Sequence, residues 1–162
     1  GPTACEVIDP DTESALRDRI GPDPLAGVDP GPFVDRLSRS RRPIGRVLLD
    51  QAVIAGVGNV YRAEILFLAG VDPRRPANDL TDDEVAAIWD ITVDQLAAGE
   101  RTGRIVTVDP GDVDAPSRAK VPKGERVYAY KRDGLPCRRC GTQIVAEEAG
   151  GRPIWWCPGC QV

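Results

Sequence analysis

Four of the five cysteines in this 162-residue chain fall in two short pairs, Cys137-Arg-Arg-Cys140 and Cys157-Pro-Gly-Cys160, with 16 residues between them. No other feature restricts the fold as much. A C-x2-C turn points two sulfurs to one side, and two such turns close a tetrahedron of thiolates around one zinc ion. Two disulfides are the alternative, and nothing in the sequence points to the oxidising compartment they need. The intervening residues alternate like a β-hairpin with Gly150-Gly151 at its turn. A tail of roughly forty residues buries little core, so the metal is expected to hold it together. Four thiolates leave zinc no open position for water. Cys137, Cys140, Cys157 and Cys160 are therefore expected to be structural ligands of one zinc ion, with no catalytic role.

The second constraint is the run from Leu48 to Val71, LLDQAVIAGVGNVYRAEILFLAGV. Ile44, Val47, Leu48, Ala52 and Ala55 recur at helical spacing before Gly56-Val57-Gly58-Asn59, and Val60, Ala63, Leu66 and Phe67 do so after it. This reads as two apolar helices meeting at a tight turn, the first starting at Pro43. Gly56 and Gly58 give the turn unusual backbone freedom and leave its amides uncovered. Asn59 takes the expected N-cap position. Free amides at a helix start make an anion site, most often for phosphate. An ordinary capped turn with no ligand has the same sequence signature. In the tail, Arg152 follows the hairpin turn, where a rigid mount suits an arginine to clamp phosphate. Trp155 and Trp156 beside it either stack on bases or cover the small core.

Elsewhere, Asp9 to Ile20 reads as a helix capped by Asp11 or Thr12, and Pro30-Gly31-Pro32 opens a short helix through Leu37. Leu80 to Ala98 is an amphipathic helix with a Thr81–Glu84 capping box and an apolar face of Val85, Ile88, Trp89, Thr92 and Leu96. Gly99 to Gly124 reads as a long linker. Gly1 to Ile8 is strand-like, with Cys5 a small buried group. The net charge of −4, taken whole, argues against a nucleic-acid partner, but its distribution does not. Residues 36–48 carry +5 and residues 118–162 carry +5, against acidic segments between and before them. Such a basic stripe on an acidic body binds DNA through phosphates, although scattered solvated arginines give the same count. The chain has no histidine, which removes the commonest acid–base residue. No apolar run is long enough to span a membrane.

LLDQAVIAGVGNVYRAEILF, the amphipathic helix after it, YKRDGLPCRRCGTQI and GGRPIWWCPGCQ together resemble the C-terminal half of the formamidopyrimidine-DNA glycosylase and endonuclease VIII family. The resemblance runs from about Gly21 to Gln161. It implies a mainly α fold, a helix–two-turn–helix bundle followed by a small β-hairpin zinc finger. The expected divisions are 1–10, the last strand of a preceding domain; 11–98, the DNA-binding helices; 99–124, a linker; and 125–162, the finger. The resemblance also implies base-excision repair of oxidised bases by a bifunctional glycosylase and abasic-site lyase. The partner is then double-stranded DNA with damaged bases or abasic sites, in a cytoplasmic, monomeric protein. Asn59 and Arg152 match the family's phosphate-holding residues, and Gly56, Gly58 and Arg132 complete the expected DNA-binding set. The lysine of the formamidopyrimidine branch falls on Gly45, which points to the endonuclease VIII side. The family's nucleophile is an N-terminal proline followed by glutamate. Here Pro2 is acylated by Gly1 and followed by Thr3, so the chain is expected to bind DNA without catalytic residues of its own. A naturally non-catalytic DNA-binding module, and a zinc-ribbon protein that binds RNA or protein, are the alternatives.

Overall fold

The structure, a computed structural model, describes residues 7–149 and 151–162. Most of the strand-like run at the start, including Cys5, lies outside these residues, as does Gly150 of the expected hairpin turn. The elements are α1 (Pro10–Arg17), α2 (Gly31–Ser38), α3 (Ile44–Val47), α4 (Asn59–Ala69), α5 (Asp82–Thr102), β1 (Val145–Glu148) and β2 (Pro153–Trp156). Short 3-10 turns join them. Among the described residues the fold is thus mainly helical with one two-stranded antiparallel hairpin, as expected.

Helix starts follow local chemistry. The Thr81–Glu84 capping box forms at α5. At α1 the cap is Asp9, whose Oδ1 accepts from the Thr12 amide at 2.8 Å, and not Asp11 or Thr12.

Two expectations fail for identifiable reasons. The long helix from Pro43 is only four residues, α3, followed by consecutive turns. Asp50 accepts from the Ala52 amide at 3.1 Å. Gln51 accepts from the Gly56 amide and donates to the Val57 carbonyl, both at 2.9 Å. These side chains take over backbone groups that a continuing helix would have used. Val53, Ile54 and Val57 are nonetheless buried, so the turns copy a helix's apolar spacing. The second failure is at the far end of α5, which runs four residues past Ala98. A Cβ at Gly99 would overlap the Tyr61 hydroxyl. Gly99 is there to let α4 and α5 cross closely, and the stop is Gly103, in the left-handed region at φ 62°. The expected boundary at 98/99 therefore falls inside a helix. The following segment does not hang free: Thr107, Val108 and Val121 are buried.

Two apolar clusters result. Phe33, Leu37, Ile44, Val47, Leu48, Ile54, Ile65, Leu66, Ile88 and Trp89 fill the first. Phe67, Val108, Val121, Tyr128, Ile144 and Trp155 fill the second, beneath the cysteine tail. The helix α4 lies between them. So does β2, whose alternating side chains send Ile154 to the first cluster and Trp155 to the second. Pairing sets Val145 opposite Trp156 and Glu148 opposite Pro153.

Candidate metal centre and nucleic-acid interface

The two cysteine turns come together at the end of the hairpin. All four sulfurs lie within 4.8 Å of one another. Cys137 and Cys160 Sγ are 3.8 Å apart, and Cys140 and Cys157 Sγ 3.4 Å. A regular tetrahedron with zinc–sulfur bonds of about 2.3 Å has edges of roughly 3.8 Å, so the donor set fits zinc. Side-chain and then backbone hydrogen bonds from Thr142 pull the Cys140 thiol down to about 6, toward the form that ligates. Burial, followed by hydrogen bonding to Cys140, pushes Cys157 and Cys160 up. Four crowded sulfurs resist ionising together, and a bound dication would supply the compensating charge. The turns leave no spare room: a Cβ at Gly159 would come within 2.5 Å of Thr142 Oγ1 and 3.1 Å of Cys140 Sγ.

The start of α4 is the second candidate site. Gly58 is its N-cap and makes no side-chain cap bond, while Asn59 is the first helical residue rather than the cap. Among the described residues, the amides of Gly58, Asn59, Val60 and Tyr61 find no protein acceptor. The glycines divide the labour expected of both. Gly56 adopts φ 82°, which demands glycine, but its amide is bonded to Gln51. Gly58 is extended, and a Cβ there would meet nothing within 4 Å. Its contribution is an uncovered surface beside the free amides.

Arg152 is exposed on the turn of the hairpin. It lines a polar cleft of about 250 Å3 with Arg42, Arg46, Leu49, Asp50 and Ala149. Arg42 is tied to Asp50 at 3.0 Å. The remaining cations give the cleft a positive balance, and the basic segment 36–48 thereby meets the basic tail. One further residue ties Asn59 to the hairpin. Arg62, completely buried, donates from Nη1 to the Gly45 carbonyl at 2.9 Å. Its Nη2 donates to Asn59 Oδ1 at 3.2 Å and to the Pro153 carbonyl at 2.8 Å. Burial, and then the neighbouring cation of Arg152, pull the Arg62 guanidinium down to about 10.

Arg132 does not join this surface. It is buried, and its guanidinium donates to the carbonyls of Tyr128 at 2.6 Å and Pro136 at 2.9 Å. The sequence shows a basic residue in a basic tail but not that its donors are already committed to the fold. Both tryptophans beside Arg152 are buried as well. Trp155 Nε1 donates to Asp133 at 2.8 Å, and Trp156 lies under Arg74 with 4.2 Å from guanidinium to ring centre. Neither face is free for a base. Gly45 has a local reason for being glycine: a Cβ would lie 2.8 Å from Ile154 Cδ1 and 3.0 Å from the Pro73 carbonyl oxygen.

Sequence reasoning missed the two buried charges of α4. Besides Arg62, Glu64 is completely buried. Its carboxylate accepts from the amides of Tyr128, Ala129 and Tyr130 at 2.7–2.8 Å and from the Thr107 hydroxyl. Charged residues in an otherwise apolar run, NVYRAEILF, were the available signal. Gln161 adds a third tie, donating to the Val71 carbonyl at 2.9 Å.

Comparison with known proteins agrees with this arrangement. Residues 20–109 match the family model described as formamidopyrimidine-DNA glycosylase H2TH domain, and residues 134–162 match the zinc finger found in FPG and IleRS. An endonuclease 8 1 of Mycobacterium bovis is 44% identical over 162 residues, covering 99% of this chain and 60% of that protein. A formamidopyrimidine-DNA glycosylase of Parasynechococcus marenigrum is 39% identical over 144 residues, covering 88% of this chain and 51% of its own. Among solved structures, Lactococcus lactis Fpg in complex with abasic-site DNA superimposes with a TM-score of 0.76 at 27% identity. The match covers 94% of this chain and 54% of that one. The chain thus spans about half to three-fifths of the length of these relatives. No described helix is long and apolar enough to cross a membrane.

Proposed function

The chain belongs to the formamidopyrimidine-DNA glycosylase and endonuclease VIII family, on its endonuclease VIII side, and from that premise we propose that it is the part that grips DNA. The partner in this reading is duplex DNA carrying an oxidised base or an abasic site. The observation that carries the reading is that the buried Arg62 bonds both Asn59, at the uncapped start of α4, and the Pro153 carbonyl, next to the exposed Arg152. Each element alone is an ordinary structural feature. Together they offer one phosphate several backbone amides, the Asn59 amide group and a guanidinium. Phosphate contacts of this kind set register on a duplex without reading sequence. The described structure is consistent with Gly58 and Asn59 as backbone contacts, with Gly56 shaping the turn behind them. Zinc, bound by Cys137, Cys140, Cys157 and Cys160, fixes the hairpin that carries Arg152.

The division of labour follows the same reading. The helices and the finger are the DNA-holding units, and the segment between them buttresses both. Bond breaking in this family's manner needs an unprotonated amine at the sugar. None of the side chains around the cleft is a lysine. Lys120, Lys123 and Lys131 lie on the exposed surface, away from that cleft. This chain by itself is therefore expected to bind DNA and not to cut it.

The test is a gel shift on a short duplex containing an abasic site, run with borohydride trapping. A shift at low salt with no covalent adduct is the expected result. An adduct at enzyme-like rates, after host glycosylases are removed, would contradict the non-cutting reading. No shift with any duplex at low salt would favour a zinc-ribbon protein with another partner.

A further inference from the structure

Arg62 has no carboxylate partner among the described residues, although it is completely buried. Its acceptors are two backbone carbonyls and one side-chain amide oxygen, from three separate places in the chain. Its Nε is one of two buried side-chain polar atoms with no protein partner among the described residues; Trp156 Nε1 is the other. A buried cation without a counter-ion is costly, and structural arginines are ordinarily paired. The helix start one turn away lacks an acidic cap, and the charged group nearest in effect is another cation, Arg152. The charge that acts on Arg62 is thus of its own sign, and its Nη2 reaches the helix start whose first amides have no protein acceptor among the described residues.

We propose that Arg62 is the positioning residue of the phosphate site, a buried fork that sets the Asn59 amide and the strand after Arg152 in one frame. This rests on the DNA-binding reading above and specifies how that site is built. Asn59 has one oxygen and one amino group, and the bond from Arg62 Nη2 engages the oxygen. The amino group is thereby turned away as a donor, alongside the free amides of α4. The same nitrogen holds the Pro153 carbonyl, so the residue next to Arg152 cannot drift from the helix start. The third bond, to Gly45, anchors the fork on α3. A planar guanidinium with five donors can make these three bonds at once, whereas a lysine ammonium is a point donor on a flexible stem. Arg62 is not expected to touch DNA.

The test is a double-mutant cycle on the full zinc-loaded chain, read as affinity for an abasic-site duplex at fixed low salt. Asn59→Ala and Arg62→Gln should each weaken binding about tenfold, the size of one lost hydrogen bond to a charged group. In the Arg62→Gln background, Asn59→Ala should cost less than twofold, because the amide is already misdirected. A full tenfold cost there would show that Asn59 is set without Arg62 and would overturn the proposal. Arg62→Lys, which keeps the charge, should bind no better than Arg62→Gln; full rescue by Lys would likewise overturn it. If Asn59→Ala and Arg152→Ala leave the affinity unchanged in the otherwise unaltered chain, it is the phosphate-site reading that fails. Should neither Arg62 variant fold, the side-chain amide resonance of Asn59 decides in the unaltered protein. One slowly exchanging Arg62 guanidinium signal that shifts with the Asn59 amide when duplex is added supports the coupling, and a silent guanidinium contradicts it.

Discussion

Ile65 and Leu66 face one half of the molecule, while Arg62 and Glu64, on the same two turns of α4, reach across to the other. The helical half closes over Ile65 and Leu66 with Phe33, Leu37, Ile44, Leu48, Ile54 and Ile88, all apolar and nearly dry. The finger half has its own small cluster around Tyr128 and Trp155, which takes in Phe67 of α4, and it is further fastened to α4 by hydrogen bonds of the buried Arg62 and Glu64. A helical domain of this size can live on burial, at roughly 25 cal/mol per Å2 of apolar surface removed from water. The finger cannot, and relies on a metal and on polar anchors. The difference teaches how the two would supply the one site proposed above. Burial gives α4 a fixed start, and in the proposed reading the anchors hold the strand after Arg152 to it.

The largest expected effect is on the finger alone. Cys157→Ser, or removal of zinc by a strong chelator, should unfold residues 125–162 and leave the helices folded. Circular dichroism and hydrogen exchange on the zinc-free protein would check this. A simultaneous loss of both halves would show that the anchors make one cooperative unit. Metal analysis should find one zinc per chain, and two disulfides by mass spectrometry would refute the metal centre.

Glu64→Gln strikes the anchors while leaving both cores intact. An amide group facing four donors can satisfy only part of them, so the change should cost about 3 kcal/mol. Denaturant titration gives the magnitude. Hydrogen exchange should show the amides of Tyr128, Ala129 and Tyr130 losing protection first. Equal loss across the helices would place Glu64 in the wrong half of the comparison.

Gly99→Ala sharpens the helical side by its sign. In an open helix interior the change stabilises by nearly 1 kcal/mol. Here the added methyl meets the Tyr61 hydroxyl, and a destabilisation of about 1–3 kcal/mol is expected. Thermal melting distinguishes the two.

The smallest effect is electrostatic. Side-chain hydrogen bonds from Arg75, at 2.5 and 2.9 Å, hold Glu84 below its ordinary value of 4.5. A lowered carboxyl contributes stability above its unfolded value and loses it as pH falls through the folded one. Glu84→Gln should therefore flatten stability between about pH 5 and 3, by on the order of 1 kcal/mol. It should have no such effect between pH 6 and 8.

Much of this was legible in the residues. The four cysteines needed only their spacing, and α5 announced itself by the Thr81–Glu84 box. The turn at Gly56 showed its glycine. What was not legible depended on partners distant in sequence. Gly99 reads as a helix stop until Tyr61 is seen beside it. The segment after it reads as a linker until Glu64 is seen to hold Thr107 and Tyr128. Arg132 and Arg152 look alike in a basic tail, and only burial separates the committed donor from the free one. Asn59 reads as a cap, because the sequence does not reveal that its oxygen belongs to Arg62.

The central claim is that Arg152 and the start of α4 form one phosphate site, and its most direct test is the salt dependence of duplex binding. Log affinity should fall linearly with log salt for the unaltered chain, and Arg152→Ala should reduce the slope by about one unit, because one fewer counterion is released. Asn59→Ala should lower the affinity at every salt concentration while leaving the slope nearly unchanged. If Arg152→Ala binds as tightly as the unaltered chain with the same slope, Arg152 does not hold a phosphate and the account is wrong.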